Sequence, residues 1–259
     1  MLIVSTPTKS LQDQLVELGA EAHLRLPDWE PNVDSIAVVV GADPVDVHLA
    51  VGVDCDTHDI ESLWLTRVRT FEVHLRNEQR APRPQLPVIS QPDATWSEQA
   101  ERLIARLRNA LGSSVYQIDH IGSTAVPGLP AKNLIDIQVI VDDLGVALEM
   151  ARKSRRAGFV HVTGDWYGED RDGTKFREEV AVDADPGRPV NVNFRQQSDP
   201  VWKETLLFRD FLRSNNAERD KYAVLKRSLE QESVSVDDYS ELKMPYIRAA
   251  LKRAGTSPV

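Results

Sequence analysis

His120-Ile121-Gly122-Ser123-Thr124-Ala125-Val126-Pro127-Gly128-Leu129-Pro130-Ala131-Lys132, followed at once by Leu134-Ile135-Asp136-Ile137-Gln138-Val139-Ile140-Val141, decides the fold of this chain. Two β-rich segments flank a Gly-Ser turn, and strict alternation in the second segment puts Asp136 on one face of a strand. Backbone N–H groups at a Gly-Ser turn can receive a phosphate, and Lys132 can neutralise it. Asp136 can hold the magnesium that accompanies nucleoside triphosphates. Ser123 and Thr124 offer hydroxyl and N–H groups where the turn begins, and His120 just before it can orient a phosphate or only brace the turn. Lys132 and Asp136 are close enough in sequence that an ion pair between them is the alternative to ligand binding.

The wording of this stretch resembles the signature of the GrpB family, whose domain is similar to a nucleotidyltransferase. Later segments agree with the resemblance: Leu206 to Arg213, Tyr222 to Arg227, and Tyr239 with Lys243 and Tyr246-Ile247. It covers roughly residues 92 to 252. The fold it implies is α/β (α+β), a nucleotidyltransferase-like mixed sheet with C-terminal helices. The function it implies is binding of a nucleotide or phosphorylated small molecule at the Gly-Ser loop, with magnesium-dependent nucleotidyl transfer as the activity such a layout can host. The alternative is a non-catalytic accessory or folding domain related to the C-terminal part of dephospho-CoA kinase, acting through a protein partner.

The resemblance places Arg209, Lys226 and Lys243 on C-terminal helices, where each can close on a nucleotide or serve an inter-helix ion pair. Asn193 and Arg195, on the alternating run Val190-Asn191-Val192-Asn193-Phe194-Arg195, join the phosphate-binding candidates. Nucleotidyl transfer uses two magnesium ions and needs several carboxylates. Enzymes of that fold supply Asp-x-Asp, whereas this chain has Asp136-Ile137-Gln138. A second metal ligand is therefore sought in Glu178, with Glu179, Asp183 and Asp185 nearby. GrpB relatives tend to carry basic residues here and a histidine where this chain has Asn193. No residue is assigned a catalytic role.

Composition narrows the classes. The chain has 259 residues, 41% hydrophobic and 27% charged, which suits a soluble globular protein. Its net charge of −9, from 31 Lys+Arg against 40 Asp+Glu, opposes broad binding to nucleic acid. Cys55 is the only cysteine, so an intrachain disulfide and a multi-thiolate zinc site are excluded. Magnesium is the possible cofactor; no zinc, flavin or nicotinamide cofactor is expected. Neither a membrane span nor a secretory signal is read, and the compartment expected is the cytoplasm.

Prolines 82, 84, 87 and 92 predict a linker over residues 81–91 between two regions. Ahead of it, Leu11, Leu15 and Leu18 form a helical stripe closed by Gly19, Ile36 to Val40 reads as a buried strand, and Asp59 can cap a helix carrying Leu63 to Leu75. Residues 1–80 thus read as a small α/β region. The stretch Leu63 to Arg76 resembles the segment that ends actinobacterial dephospho-CoA kinase, behind which a GrpB domain is often fused. No Gly-x-x-x-x-Gly-Lys-[Ser/Thr] occurs in the chain, so kinase activity is not expected of it. After the linker, Trp96 to Leu111 recurs at helical spacing and stops at Gly112, and Leu144 to Ala157 forms the next helix. Three helices close the chain, near 200–214, 217–231 and 236–254.

Overall fold

The computed structural model describes residues 62, 64–232 and 235–256 and, as backbone, the strands β1 (Leu2–Val4), β2 (Ala22–Leu24), β3 (Val38–Val40) and β4 (Leu49–Val51). The strands β1 and β2 pair in parallel, as do β3 and β4. The expected Leu11 stripe, the Asp59 cap and Cys55 lie outside the described residues. A π-helical turn at Trp64–Val68 leads into α1 (Arg69–Arg76), which buries Phe71 and Leu75.

The body is built on five strands: β6 (Gln117–Ile121), β8 (Ile135–Val141), β9 (Phe159–Glu169), β10 (Lys175–Asp183) and β11 (Val190–Gln196). Two short strands, β5 (Ile89–Ser90) and β7 (Ala131–Lys132), pair with each other outside this sheet. The order is β6-β8-β11-β10-β9. Only β8 and β11 run parallel within it; the other neighbours are antiparallel. The chain is therefore mixed α/β, as its sequence implies.

Period-two alternation divides the sheet into two unlike faces. Ile118, Ile135, Ile137, Val139, Val141, Val190, Val192 and Phe194 form one face and are buried against α2 (Trp96–Leu111) and α3 (Leu144–Lys153). Burying a side chain of this size contributes about 1.5–3 kcal/mol, so this layer carries the fold. Helix α2 ends at Gly112, whose φ of 73° suits glycine. Helix α3 starts on Asp143, whose side chain accepts from the Val146 amide. It tightens into a 3-10 turn at Ser154–Ala157, so Arg155 and Arg156 occupy a helix end.

The other face carries Asp119, Asp136, Gln138, Asn191, Asn193 and Arg195, as the strand registers require. Beside it lie α4 (Val201–Ser214), α5 (Asn216–Gln231), α6 (Val236–Leu242) and α7 (Met244–Thr256). A second apolar cluster joins Val126 and Leu129 of the turn to Leu212, Tyr222, Phe208 and Tyr246. The last helix expected from sequence is two helices. They separate at Lys243, because Pro245 lacks the N–H that would carry α6 onward and instead sits in the first turn of α7.

Residues 81–91, expected as a linker, lie fastened to the body. The Ala81 amide donates to Asp183 O at 3.0 Å. Arg83 pairs with Asp183, and the Ile89 amide donates to Glu230 at 2.6 Å. Upstream, Arg67 forms a two-bond pair with Asp185, at 2.8 and 2.6 Å.

Candidate functional site

Gly122 sets the geometry of the turn. Its φ is +71°, and a Cβ placed there would meet Asp136 Oδ2 at 2.5 Å. Glycine is required both for the left-handed backbone and for the approach of the carboxylate. Asp136 thus faces the Gly122-Ser123 turn, the position alternation assigns it. Its Oδ1 accepts from Asn191 Nδ2 at 3.1 Å. Burial pushes this carboxyl above the ordinary carboxylate range, while Lys132, Asn191, Lys243 and Arg83 pull the other way.

Two lysines, Lys132 and Lys243, act on this carboxylate, and a third, Lys226, joins them at a pair of tyrosine rings. The Lys243 ammonium stands 4.3 Å from the centroid of Tyr239, and Lys132 stands 5.3 Å from the same ring. Lys226 donates to Pro130 O and lies 5.0 Å from the Tyr222 ring. Burial holds the Tyr222 hydroxyl above its ordinary range, with Ser123 of the turn pulling the other way. Burial lowers Lys226 to about 7, with Lys243 and Arg227 adding repulsion. It lowers Lys243 to about 8, with Lys132 adding and Asp136 opposing, and it also lowers Lys132. Among the described residues none of the three lysines closes an ion pair with a carboxylate, so the Lys132–Asp136 pair, the alternative to ligand binding, does not form.

The other candidates divide into two groups. His120 projects to the opposite face from Asp136, since it is in register with Ile137 whereas Ile121 is in register with Asp136. Its Nε2 lies 3.0 Å from Thr124 Oγ1, which in turn donates to Leu134 O at 3.3 Å. Arg209 donates to His120 O at 3.0 Å and pairs with Asp210 at 2.8 Å. His120, Thr124 and Arg209 therefore brace the turn from behind. Burial, then Arg213 and Arg209, hold the imidazole down to about 4, so it is neutral near pH 7.

Glu178 and Arg195 belong to a buried network away from the lysines. Arg195 Nε donates to Glu178 at 2.6 Å, and its NH1 donates to Gln138 Oε1 and Thr205 Oγ1, both at 3.0 Å. Gln138 Nε2 donates to Asp119 at 3.0 Å. Asn193 donates to Ile137 O at 3.3 Å. Glu178 is opposite Trp166, whereas Asp136 is level with Asn191 and hence with Val182. Four strand residues separate the two levels, about 13 Å, too far for two carboxylates to share one ion. The expectation that Glu178 completes a metal pair with Asp136 is corrected: the guanidinium of Arg195 holds it elsewhere.

Asp136 is thus the carboxylate at the turn, with Asp237 also acting on Lys132, and the oxygen of Gln138 is already taken. Among the described residues no group of three or more His, Cys, Asp or Glu could hold a metal ion. The residues present do not fit a protein-built magnesium site; Lys132, Lys226 and Lys243 gathered at the tyrosines suit an anion.

Sequence reasoning missed Arg83, hidden in Pro82-Arg83-Pro84, and Asn191. Arg83 NH1 donates to Asn191 Oδ1 at 2.8 Å, and NH2 donates to Val190 O at 2.7 Å as well as to Asp183. Alternation along Val190–Gln196 puts Asn191 on the face of Asn193 and was the available signal for it; nothing local marks Arg83.

Fold and site define a mixed-sheet α/β protein whose polar sheet face carries a lysine cluster at a Gly-Ser turn. Residues 87–253 match the family model described as GrpB protein. The chain belongs to the GrpB family. It is 35% identical over 214 residues to a dephospho-CoA kinase of Mycolicibacterium paratuberculosis, covering 75% of this chain and 52% of that one. A UPF0157 protein of Streptomyces coelicolor is 35% identical over 171 residues, covering 65% of this chain and 84% of that one. The crystal structure of conserved protein GrpB from Enterococcus faecalis aligns with a TM-score of 0.53 at 26% identity, covering 64% of this chain and 96% of the other. The chain spans about half the length of the dephospho-CoA kinases it matches. No helix among the described residues is long and apolar enough to cross a membrane.

Proposed function

We propose that this GrpB-family chain binds a phosphorylated small molecule, nucleotides included, at the Gly122-Ser123 turn. One observation carries the reading: Lys132, Lys226 and Lys243 gather around Tyr222, Tyr239 and the turn without a carboxylate ion pair among the described residues. Like charges brought together out of water are costly, and an anion seated among them removes that cost. Gly122 and Ser123 supply backbone donors beside it. A magnesium ion would need the ligand's own phosphates for most of its coordination, so the reading does not depend on nucleotidyl transfer.

Calorimetric titration with inorganic phosphate, ATP, GTP, CTP, UTP and dephospho-CoA, each with and without magnesium, tests it. The expected result is saturable binding of at least one phosphate compound, weakened about tenfold or more by Lys243→Met, since a lost charged contact is worth about 1.5–3 kcal/mol. Absence of binding across the panel would overturn the reading. The similarity to dephospho-CoA kinases favours a second reading, an accessory domain of coenzyme A biosynthesis, because the match spans three quarters of this chain and half of theirs. Under it, this chain raises the activity of a separately supplied dephospho-CoA kinase without binding nucleotide itself.

A further inference from the structure

We infer that Arg83, which precedes the segment matched by the family model, is a positioning residue for the anion site: it fixes Asn191, and Asn191 holds the Asp136 carboxylate away from the lysines. The inference rests on the phosphate-binding reading. Its geometry starts at Asp183, which is 2% exposed and accepts both from Arg83 and from the Val190 amide at 2.8 Å. That pairing anchors one end of the guanidinium. The other end, NH1, donates to Asn191 Oδ1 at 2.8 Å.

A guanidinium can only donate, so the amide oxygen of Asn191 must face Arg83 and the amide nitrogen must face the other way. That nitrogen meets Asp136 Oδ1 at 3.1 Å, while Asp136 Oδ2 lies against Gly122, where a Cβ would come within 2.5 Å. Asn191 thereby holds one oxygen, and the other lies on the side of the turn. Among the described residues, neither Lys132 nor Lys243 closes an ion pair with Asp136, although both attract it. Without Arg83 the amide of Asn191 is free to invert, and its oxygen then repels the carboxylate. Asp136 turns toward Lys132 or Lys243 and neutralises a cation the ligand needs. The GrpB segment at residues 87–253 is therefore incomplete as a binding unit, and the chain ahead of it supplies the missing hand.

Arg83→Lys in the full chain separates this role from simple charge and from folding. Lysine keeps the positive charge and the reach to Asp183 but cannot hold Asn191 at the same time. The expected result is an unfolding midpoint close to wild type with phosphate affinity reduced about tenfold. Asn191→Leu is expected to weaken phosphate to a similar extent, and the double variant to be no weaker than either single one, because both break one relay. Unchanged phosphate affinity in Arg83→Lys, or losses that add in the double variant, would overturn the inference. Asn191 side-chain amide resonances of the ligand-free protein give an independent reading. They should shift and exchange faster with water in Arg83→Lys. Wild type that fails to bind any phosphate compound would refute the site reading alone; unshifted Asn191 resonances would refute the relay.

Discussion

Lys226→Met is expected to stabilise the protein in mild acid while removing its ligand. The lysine is 1% exposed, and burial lowers it from 10.5 to about 7. Below that value the folded and unfolded chains are both protonated, so the folded state bears the whole cost of the buried charge, about 5 kcal/mol. As pH rises from about 7 to 10.5, the folded lysine releases its proton while the unfolded one keeps it, and the cost disappears progressively. Methionine fills similar volume without charge. It forfeits the hydrogen bond to Pro130 O and the contact with the Tyr222 ring, together worth about 2–4 kcal/mol. The net expectation is a gain of roughly 1–3 kcal/mol at about pH 6 and none at about pH 9. The change between the two pH values, about 3 kcal/mol, comes chiefly from this lysine, with a smaller part from Lys243, which the substitution frees from its repulsion. Urea unfolding followed by tryptophan fluorescence at the two pH values measures it. A variant whose stability difference from wild type is the same at both would show that Lys226 is an ordinary lysine, and the energetic case for an anion at this site would fall with it.

Three other perturbations probe separate parts of the site. His120 is held to about 4 against an ordinary value of 6.5, so its neutral form contributes stability that is complete above pH 6.5 and is lost as pH falls toward 4; His120→Gln should flatten that acid limb by up to about 3 kcal/mol in equilibrium unfolding, and an unchanged limb would refute the assignment. Glu178→Gln leaves Arg195 buried without its counter-charge and should cost about 3 kcal/mol of stability while leaving phosphate affinity unaltered, an outcome that calorimetry would reverse if Glu178 were a ligand group. Gly122→Ala forces alanine to a φ of +71° against Asp136 and should cost at least 1–2 kcal/mol and abolish phosphate binding; wild-type affinity in that variant would show that the turn is not the binding element.

What the sequence by itself determined are the features set by local periodicity and turn chemistry. Alternation along Ile135 to Val141 and Val190 to Gln196 is enough to separate an apolar sheet face from a polar one, since a strand turns each successive side chain to the opposite side. The glycine after Trp96–Leu111 ends that helix for a backbone reason that any sequence reader can apply. The position of Asp136 opposite the Gly122-Ser123 turn follows from the same logic. Tertiary structure decided what each charge meets, because ion pairs join residues far apart in the chain. Glu178 reads from sequence as a metal ligand, but Arg195, seventeen positions away, holds it. Lys132 and Asp136 close no ion pair, and the carboxylate accepts instead from Asn191, fifty-five positions away. Arg83 lies 108 positions from Asn191, inside a proline-rich stretch whose composition signals a linker. Proline fixes backbone angles and says nothing about where the side chain between two prolines will reach; only the packing of residues 81–91 onto β10 and β11 turns that arginine into part of the site.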